Sequence, residues 1–270
     1  MIAVASSAVA AMVVPPAFGA LSVPALAGLA EMAGSVLPGL VVAALVLGLA
    51  GAVLLVPSWL IRGLLAPLNP QVLFCGPGQE RRLALSLDDG PSGPGSEALL
   101  ELLRQLELPA TFFLIGSHLP LDPSFPRRAL EQGHSLGNHL WRDERASALP
   151  RPVFLRQLQA TERAIEAAAA PQRLSWRWFR PGQAWFHPAM LAWLAPQGYR
   201  LVLGSIFPWD TLRPPIWFVR RFVAINAHPG GILVLHDTPA LSGRTLQILR
   251  LIIPDLRRRG YRFVPLAELV

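Results

Sequence analysis

Two adjacent aspartates, Asp88 and Asp89, close the apolar run LALSL (83 to 87), and Gly90 and Pro91 follow at once to stop a strand and turn the chain. Carboxylates presented side by side repel each other, and a cation or a shared proton must offset that repulsion. A second polar cluster, GHSLGNHLWRDE (133 to 144), holds His139 and Asp143 four residues apart. On a helix the two would share a face and a ligand. With one of the paired aspartates they would make an oxygen, nitrogen, oxygen set with open positions, the arrangement a hydrolytic metal centre requires. A third cluster, His236 and Asp237, ends GGILVLHD (230 to 237). Each also has a plain structural reading: a satisfied turn aspartate, a core histidine, or Asp143 paired with Arg142 or Arg145 on a solvated surface. Their recurrence at equivalent places argues against coincidence.

Those places are strand ends. LALSL reads as a strand, SEALLELLRQLE (96 to 107) as a helix, ATFFLIG (110 to 116) as a strand and PRRALEQGH as a helix. A long helix from Val153 to Ala170, a strand at 200 to 204, GGILVLHD as a strand, TLQILRLIIPDLRRRG as a helix and YRFVPL as a closing strand complete the pattern. Strands alternating with helices call for parallel pairing in an α/β barrel, where chemistry gathers at the C-terminal ends of the strands.

The chain is more apolar than an ordinary soluble domain, with 52% hydrophobic residues and a mean hydropathy of +0.41. The excess lies in the first 65 residues. Before Arg62 there is no basic residue and one acid, Glu31, and GLVVAALVLGLAGAVLLV (39 to 56) is an uncharged run of spanning length. The expectation is a membrane helix. Residues 1 to 30 are broken by Pro15, Pro16 and Pro24 and lack a basic start, which fits a cleaved leader poorly and leaves a second span or an interfacial segment open. Residues 66 to 80, rich in Pro and Gly, read as a linker. By the positive-inside rule Arg62, Arg81 and Arg82 favour a cytoplasmic domain, but only the first is close to the run. A lone Cys75 identifies no compartment.

The net charge of +7 comes from arginine, clustered at 220 to 221 and 257 to 259. It suits anionic lipid or an acidic polymer, or simply solvated helix faces. Aromatic and basic residues do not alternate, which argues against nucleic acid as a partner.

The ordered set LSLDDGP (85 to 91), ATFFLIG (110 to 116), GHSLGNHLWRD (133 to 143), FRPGQAW (179 to 185), GYRLVLGSIFPWD (198 to 210) and GGILVLHD (230 to 237) resembles the polysaccharide deacetylases, the NodB-homology domains of carbohydrate esterase family 4. The likeness runs from about residue 80 to 270. It implies a distorted (β/α) barrel of about seven strands behind the hydrophobic segment. It further implies a hydrolase that removes N-acetyl groups from chitin-like or cell-wall glycans. The likeness does not cover the hydrophobic segment; joined to the membrane helix expected there, the chain is expected to be membrane-anchored with its domain outside the cytoplasm. Carried over by position, Asp88 is the base, Asp89 and His139 are metal ligands with Asp143 as the third, and Arg180 orients the base. Backbone N–H groups near Gln183 hold the oxyanion, His236 is the general acid tuned by Asp210, and Trp209 and Leu235 wall the acetyl pocket. The metal implied is Zn²⁺, with Co²⁺ or Mn²⁺ as competitors.

Two departures stand out: Asp143 where most of the family has histidine, and RPGQA where most have RPPYG. A second carboxylate cancels more of the ion's charge and leaves its water less acidic. These departures sustain an alternative, a membrane-anchored glycan-binding protein without strong catalysis. An aspartyl-phosphate type of phosphohydrolase fits less well, because its two aspartates stand two residues apart and Asp88 and Asp89 are adjacent. His118, His187 and His228 receive no role.

Overall fold

A computed structural model of the protein describes residues 41–44, 48, 51, 54–175 and 177–270. The expected membrane run 39–56 and the proline-broken residues before it lie largely outside the described residues. Among those described, no helix is long and apolar enough to cross a membrane. The chain divides into two units, 1–51 and 52–270, and the second carries the sheet and every candidate site residue.

Eight parallel strands form one sheet: β1 (Val72–Leu73), β2 (Arg82–Asp88), β3 (Ala110–Leu114), β4 (Ser135–Asn138), β5 (Trp178–Phe179), β6 (Arg200–Val202), β7 (Gly231–His236) and β8 (Arg262–Phe263). Their order is β1-β6-β5-β4-β3-β2-β7, with β8 beside β2. Beyond β6 the chain bridges back to β7 through Ile206 and Leu233, so the sheet curls round on itself. The barrel expectation holds, with eight strands rather than about seven; β1 and β5, of two residues each, are too short to read in sequence.

The helices are α1 (Pro57–Leu60), running on through a π-helical turn (Ile61–Leu65) and a last turn (Ala66–Leu68), then α2 (Pro94–Gln105), α3 (Phe125–Glu131), α4 (Arg151–Ala169), α5 (Pro188–Leu194), α6 (Ile216–Asn226) and α7 (Ser242–Arg258). Buried parallel strands read as nearly unbroken apolar runs, and the period of two then sorts the two faces. On β2, Leu83, Leu85 and Leu87 pack outward in one cluster with Leu99 and Leu103 of α2 and Ile248, Ile252 and Ile253 of α7. Ala84 belongs to the inner cluster with Phe113, Trp178, Val202 and Ile232. Ser86 and Asp88 share that inner parity.

The stretch 66–80, expected to be a linker, is part of the sheet. Val72 pairs with Leu201 and Leu73 with Val202, and both side chains are buried. Its prolines and glycines punctuate an edge strand that is too short to show an alternating pattern.

Candidate active site

Each polar cluster falls where a strand ends. Asp88 is the last residue of β2 and His236 the last of β7; Asp89, His139 and Arg180 each stand one residue past β2, β4 and β5. Arg180, fully buried inside the barrel, reaches across to Asp88: its Nη1 donates to Asp88 Oδ1 at 2.6 Å and to Ser86 Oγ at 2.9 Å, and its Nε to the carbonyl of Val202 at 3.1 Å. The guanidinium lies over the Phe113 ring, 4.0 Å from its centroid. Removing either partner of this pair would strand the other's charge, so Asp88 and Arg180 hold each other in place. Arg180 Nη2 has no hydrogen-bond partner among the described residues.

Asp89 turns the chain with a left-handed backbone, φ 71°. Its Oδ1 lies 3.3 Å from His139 Nε2, and its carbonyl accepts from His118 Nδ1 at 2.7 Å. His139 Nδ1 donates to the carbonyl of Arg180 at 2.7 Å, which leaves Nε2 as the nitrogen turned toward Asp89. Burial works against charge on both groups. For Asp89 the hydrogen bond and charge of His139 outweigh it, and its pKa is lowered. For His139 the Asp89 bond and the charges of Asp88 and Asp89 outweigh it, and its pKa is raised.

A carboxylate and an imidazole so oriented fit two positions of a divalent metal site. The third does not follow. Asp143 is exposed, and among the described residues no three His, Cys, Asp or Glu side chains gather where a metal ion could be held. The reason is local: the i, i+4 face required a helix, but β4 ends at Asn138, Leu140 takes φ 65° and residues 141–144 form a bend. That bend is tied to α4, since the N–H groups of Trp141 and Arg142 both donate to Gln157 Oε1 at 3.2 Å.

His236 meets Asp210 as expected. Asp210 Oδ1 lies 3.0 Å from His236 Nδ1 and its Oδ2 accepts from the His236 N–H at 2.9 Å, so one buried carboxylate fixes both ring and backbone. Burial disfavours the imidazolium, but Asp210, with Asp88 and Asp89 behind it, raises the His236 pKa to about 9. At neutral pH the ring carries a proton to give.

Leu235 does not wall a pocket. Alternation turns it outward into the cluster of Leu85, Leu87 and Leu233, and places Val234 on the inner face with His236. Gln183 is exposed in the turn 182–184 with φ 59°. Trp209, φ 57°, turns its indole Nε1 to the carbonyl of Leu54 at 3.3 Å. Asp89, Leu140, Gln183 and Trp209 are thus all non-glycine residues in left-handed backbone, at a cost of order 1–3 kcal/mol each.

Sequence reasoning gives no role to a polar cluster behind Asp88. Asp237, fully buried, accepts from Ser92 Oγ at 2.7 Å and Ser96 Oγ at 2.5 Å, while its N–H donates to the Asp88 carbonyl at 2.8 Å. Burial raises its pKa, and the two hydroxyls oppose that shift. The signal is present in the serines of DGPSGPGS and in the residue beside His236. His118 is likewise passed over, whereas His187 caps α5 and His228 bonds Ser205, as residues without a role in the site.

The polysaccharide deacetylase family model matches residues 76–202. A peptidoglycan-N-acetylglucosamine deacetylase of Bacillus cereus is 31% identical over 196 residues, covering 72% of this chain and 90% of that protein. A chitooligosaccharide deacetylase of a Bradyrhizobium strain is 32% identical over 200 residues, covering 70% and 90%. Among solved structures, the Bc1960 peptidoglycan N-acetylglucosamine deacetylase, in complex with 4-naphthalen-1-yl-N-oxidanyl-benzamide, superposes with a TM-score of 0.69 at 27% identity, covering 74% of this chain and 92% of that one.

Proposed function

Because the chain belongs to the polysaccharide deacetylase family, we propose that it hydrolyses N-acetyl groups on amino-sugar glycans, releasing acetate and leaving a free amine. The observation that carries this reading is the pairing of opposite proton roles across one strand pair: Asp88, held by Arg180, and His236, held protonated by Asp210.

Asp88 takes a proton from water as the water oxygen bonds to the acetyl carbon. Backbone N–H groups near Gln183 are the donors proposed for the resulting oxyanion; that of Ala184 is not among them, since it donates to the carbonyl of Pro181 at 3.1 Å. The carbon–nitrogen bond then breaks, His236 gives its proton to the departing amine, and a proton passed from Asp88 to the imidazole resets the site. A divalent ion at Asp89 and His139, zinc or a harder ion such as Mn²⁺ or Co²⁺, would supply Lewis-acid polarisation of the carbonyl. The 39–56 run is proposed as the anchor that holds the domain to a membrane, outside the cytoplasm.

Exposed Asp143 favours a second reading, a glycan-binding protein of the same fold with little turnover. Acetate release from chitooligosaccharides by the full chain separates the two. Release that Asp88→Asn abolishes supports the deacetylase. Binding without release, in wild type and variant alike, supports the module.

A further inference from the structure

The turn that carries Asp210 is fastened to a segment with no part in the chemistry. Trp209 Nε1 donates to the carbonyl of Leu54 at 3.3 Å, and Asn226 Nδ2, at the end of α6, donates to that of Leu55 at 2.8 Å. Asn226 Oδ1 accepts from the N–H of Ser58 at 3.3 Å, and Ile61 is buried in one cluster with Val72, Phe74 and Leu201. Residues 54–61, at the end of the uncharged run 39–56, are therefore fastened to the packed body of the enzyme unit. The stretch that reads as a slack connector is a strand of the sheet.

The surface around this joint is apolar. Leu54, Leu55, Trp59, Trp217 and Ile225 are between 48% and 70% exposed. Neither 32–79 nor 211–236, the stretches that build it, contains an aspartate or glutamate, and their charged residues are Arg62, Arg213, Arg220 and Arg221, all exposed. Arg220 is paired with Asp255 of α7, its Nε donating to Oδ2 at 2.5 Å, which leaves Arg62, Arg213 and Arg221. Tryptophans and leucines among these arginines match the chemistry of an anionic headgroup region, where indoles sit at the interface and guanidinium groups reach phosphates. The run itself supplies the occupant. As a helix its 18 residues would extend about 27 Å, close to the hydrocarbon thickness of a bilayer.

We propose that this face rests on the lipid bilayer that receives the 39–56 run, and that the site beside Trp209 acts on N-acetylated glycans anchored in that same membrane. The proposal rests on the deacetylase and anchor readings above. Anchoring confines enzyme and lipid-borne substrate to one surface and raises their effective concentration, whereas a free oligosaccharide gains nothing.

The test uses the full chain, Cys75→Ser, in phosphatidylcholine and phosphatidylglycerol vesicles. Cysteines introduced by Trp217→Cys, Ile225→Cys or Glu101→Cys carry an environment-sensitive fluorophore. Glu101 lies on α2, and α7 packs against both α2 and α6. Spin-labelled lipid should quench the probes at 217 and 225 and spare the one at 101. No quenching at 217 and 225, or equal quenching at all three, overturns the proposed face, as does a disulfide between Trp217→Cys chains in detergent, which would assign the face to a second copy. In a parallel assay, a chitooligosaccharide carrying an alkyl chain seated in the vesicle should show a KM at least about tenfold below that of the free sugar, with the gap closing in detergent. Equal KM values overturn the substrate assignment. Quenching with no acetate from either sugar overturns the deacetylase reading and leaves the face standing; acetate without quenching does the reverse.

Discussion

Asp88 and His236 are direct partners in the parallel pairing of β2 with β7, and each is held by a charge of the opposite sign, Arg180 for the aspartate and Asp210 for the histidine. Two groups on neighbouring strands, with parity turning both inward, can serve the two sides of one scissile bond. Replacing Asp88 by asparagine keeps the shape and removes the base, and acetate release should fall by about a hundred- to ten-thousand-fold in kcat with little change in KM. A loss confined to KM would show that Asp88 binds rather than reacts.

With His236 as the proposed acid, its pKa, raised to about 9, should set the alkaline limb of activity. kcat/KM should hold through neutral pH and fall as pH rises through about 9, when the imidazolium of the free enzyme gives up its proton. Asp210→Asn removes the charge that opposes burial, so the fall should move to lower pH. The same shift is linked to stability: a value raised above the ordinary histidine range contributes stability fully present below about 6.5 and lost as pH rises through about 9. A pH–rate profile unmoved by Asp210→Asn would detach the aspartate from the acid.

Part of this site is legible in sequence because strand ends announce themselves: LALSLDDGP joins a β run to a polar pair and a breaker, and LVLHD joins a β run to two polar residues. Arg180 follows a strand of two residues, too short to read, and is placed by the family resemblance. The failures have physical causes. A helical period places Asp143 beside His139, yet the backbone there is committed to β4 and then to Gln157. The resemblance places Leu235 in the pocket wall, whereas the period of two sends it to the face opposite His236. Pro and Gly in 66–80 are punctuation, as a linker reading has them, but nothing local shows that Val72 and Leu73 pair 129 residues away with Leu201 and Val202. The Asp237 cluster depends on contacts spanning 141 and 145 residues, which no local pattern carries.

Metal content tests the two-ligand geometry. Asp89→Ala and His139→Ala should each lower the affinity for zinc at least about tenfold. Asp143→Ala should leave it unchanged, because that carboxylate lies in solvent away from the pair. Equilibrium dialysis with metal analysis reads this without reference to turnover, and a loss on Asp143→Ala equal to that on His139→Ala would restore the three-residue site.

Behind Asp88, the carboxylate of Asp237 depends on Ser92 and Ser96 for its hydrogen bonds. Ser96→Ala leaves a buried acceptor short of a donor and should cost about 1–3 kcal/mol in denaturant unfolding. Since the Asp237 N–H also fixes the Asp88 carbonyl, kcat should fall in the same variant. Full stability and full activity together would mean that the cluster is solvated rather than buried.

One departure from the family pattern lies against the residue that follows the other: Gly182 of RPGQA meets Glu144, next to Asp143. A Cβ on Gly182 would collide with the carbonyl of Glu144, so the turn 182–184 lies directly on the bend 141–144. That bend is in turn held by Gln157, which accepts from Trp141 and Arg142 and donates to Glu144 Oε1 at 2.6 Å. Gly182→Ala should therefore cost about 1–3 kcal/mol by overpacking two backbones that cannot part. Gln157→Ala frees the bend to move aside, so the double variant should lose less than the sum of the single losses, a coupling that denaturant unfolding of the four proteins measures. Strictly additive losses would mean that the glycine and the bend are independent, and that the exchange of histidine for Asp143 has no structural link to the altered turn.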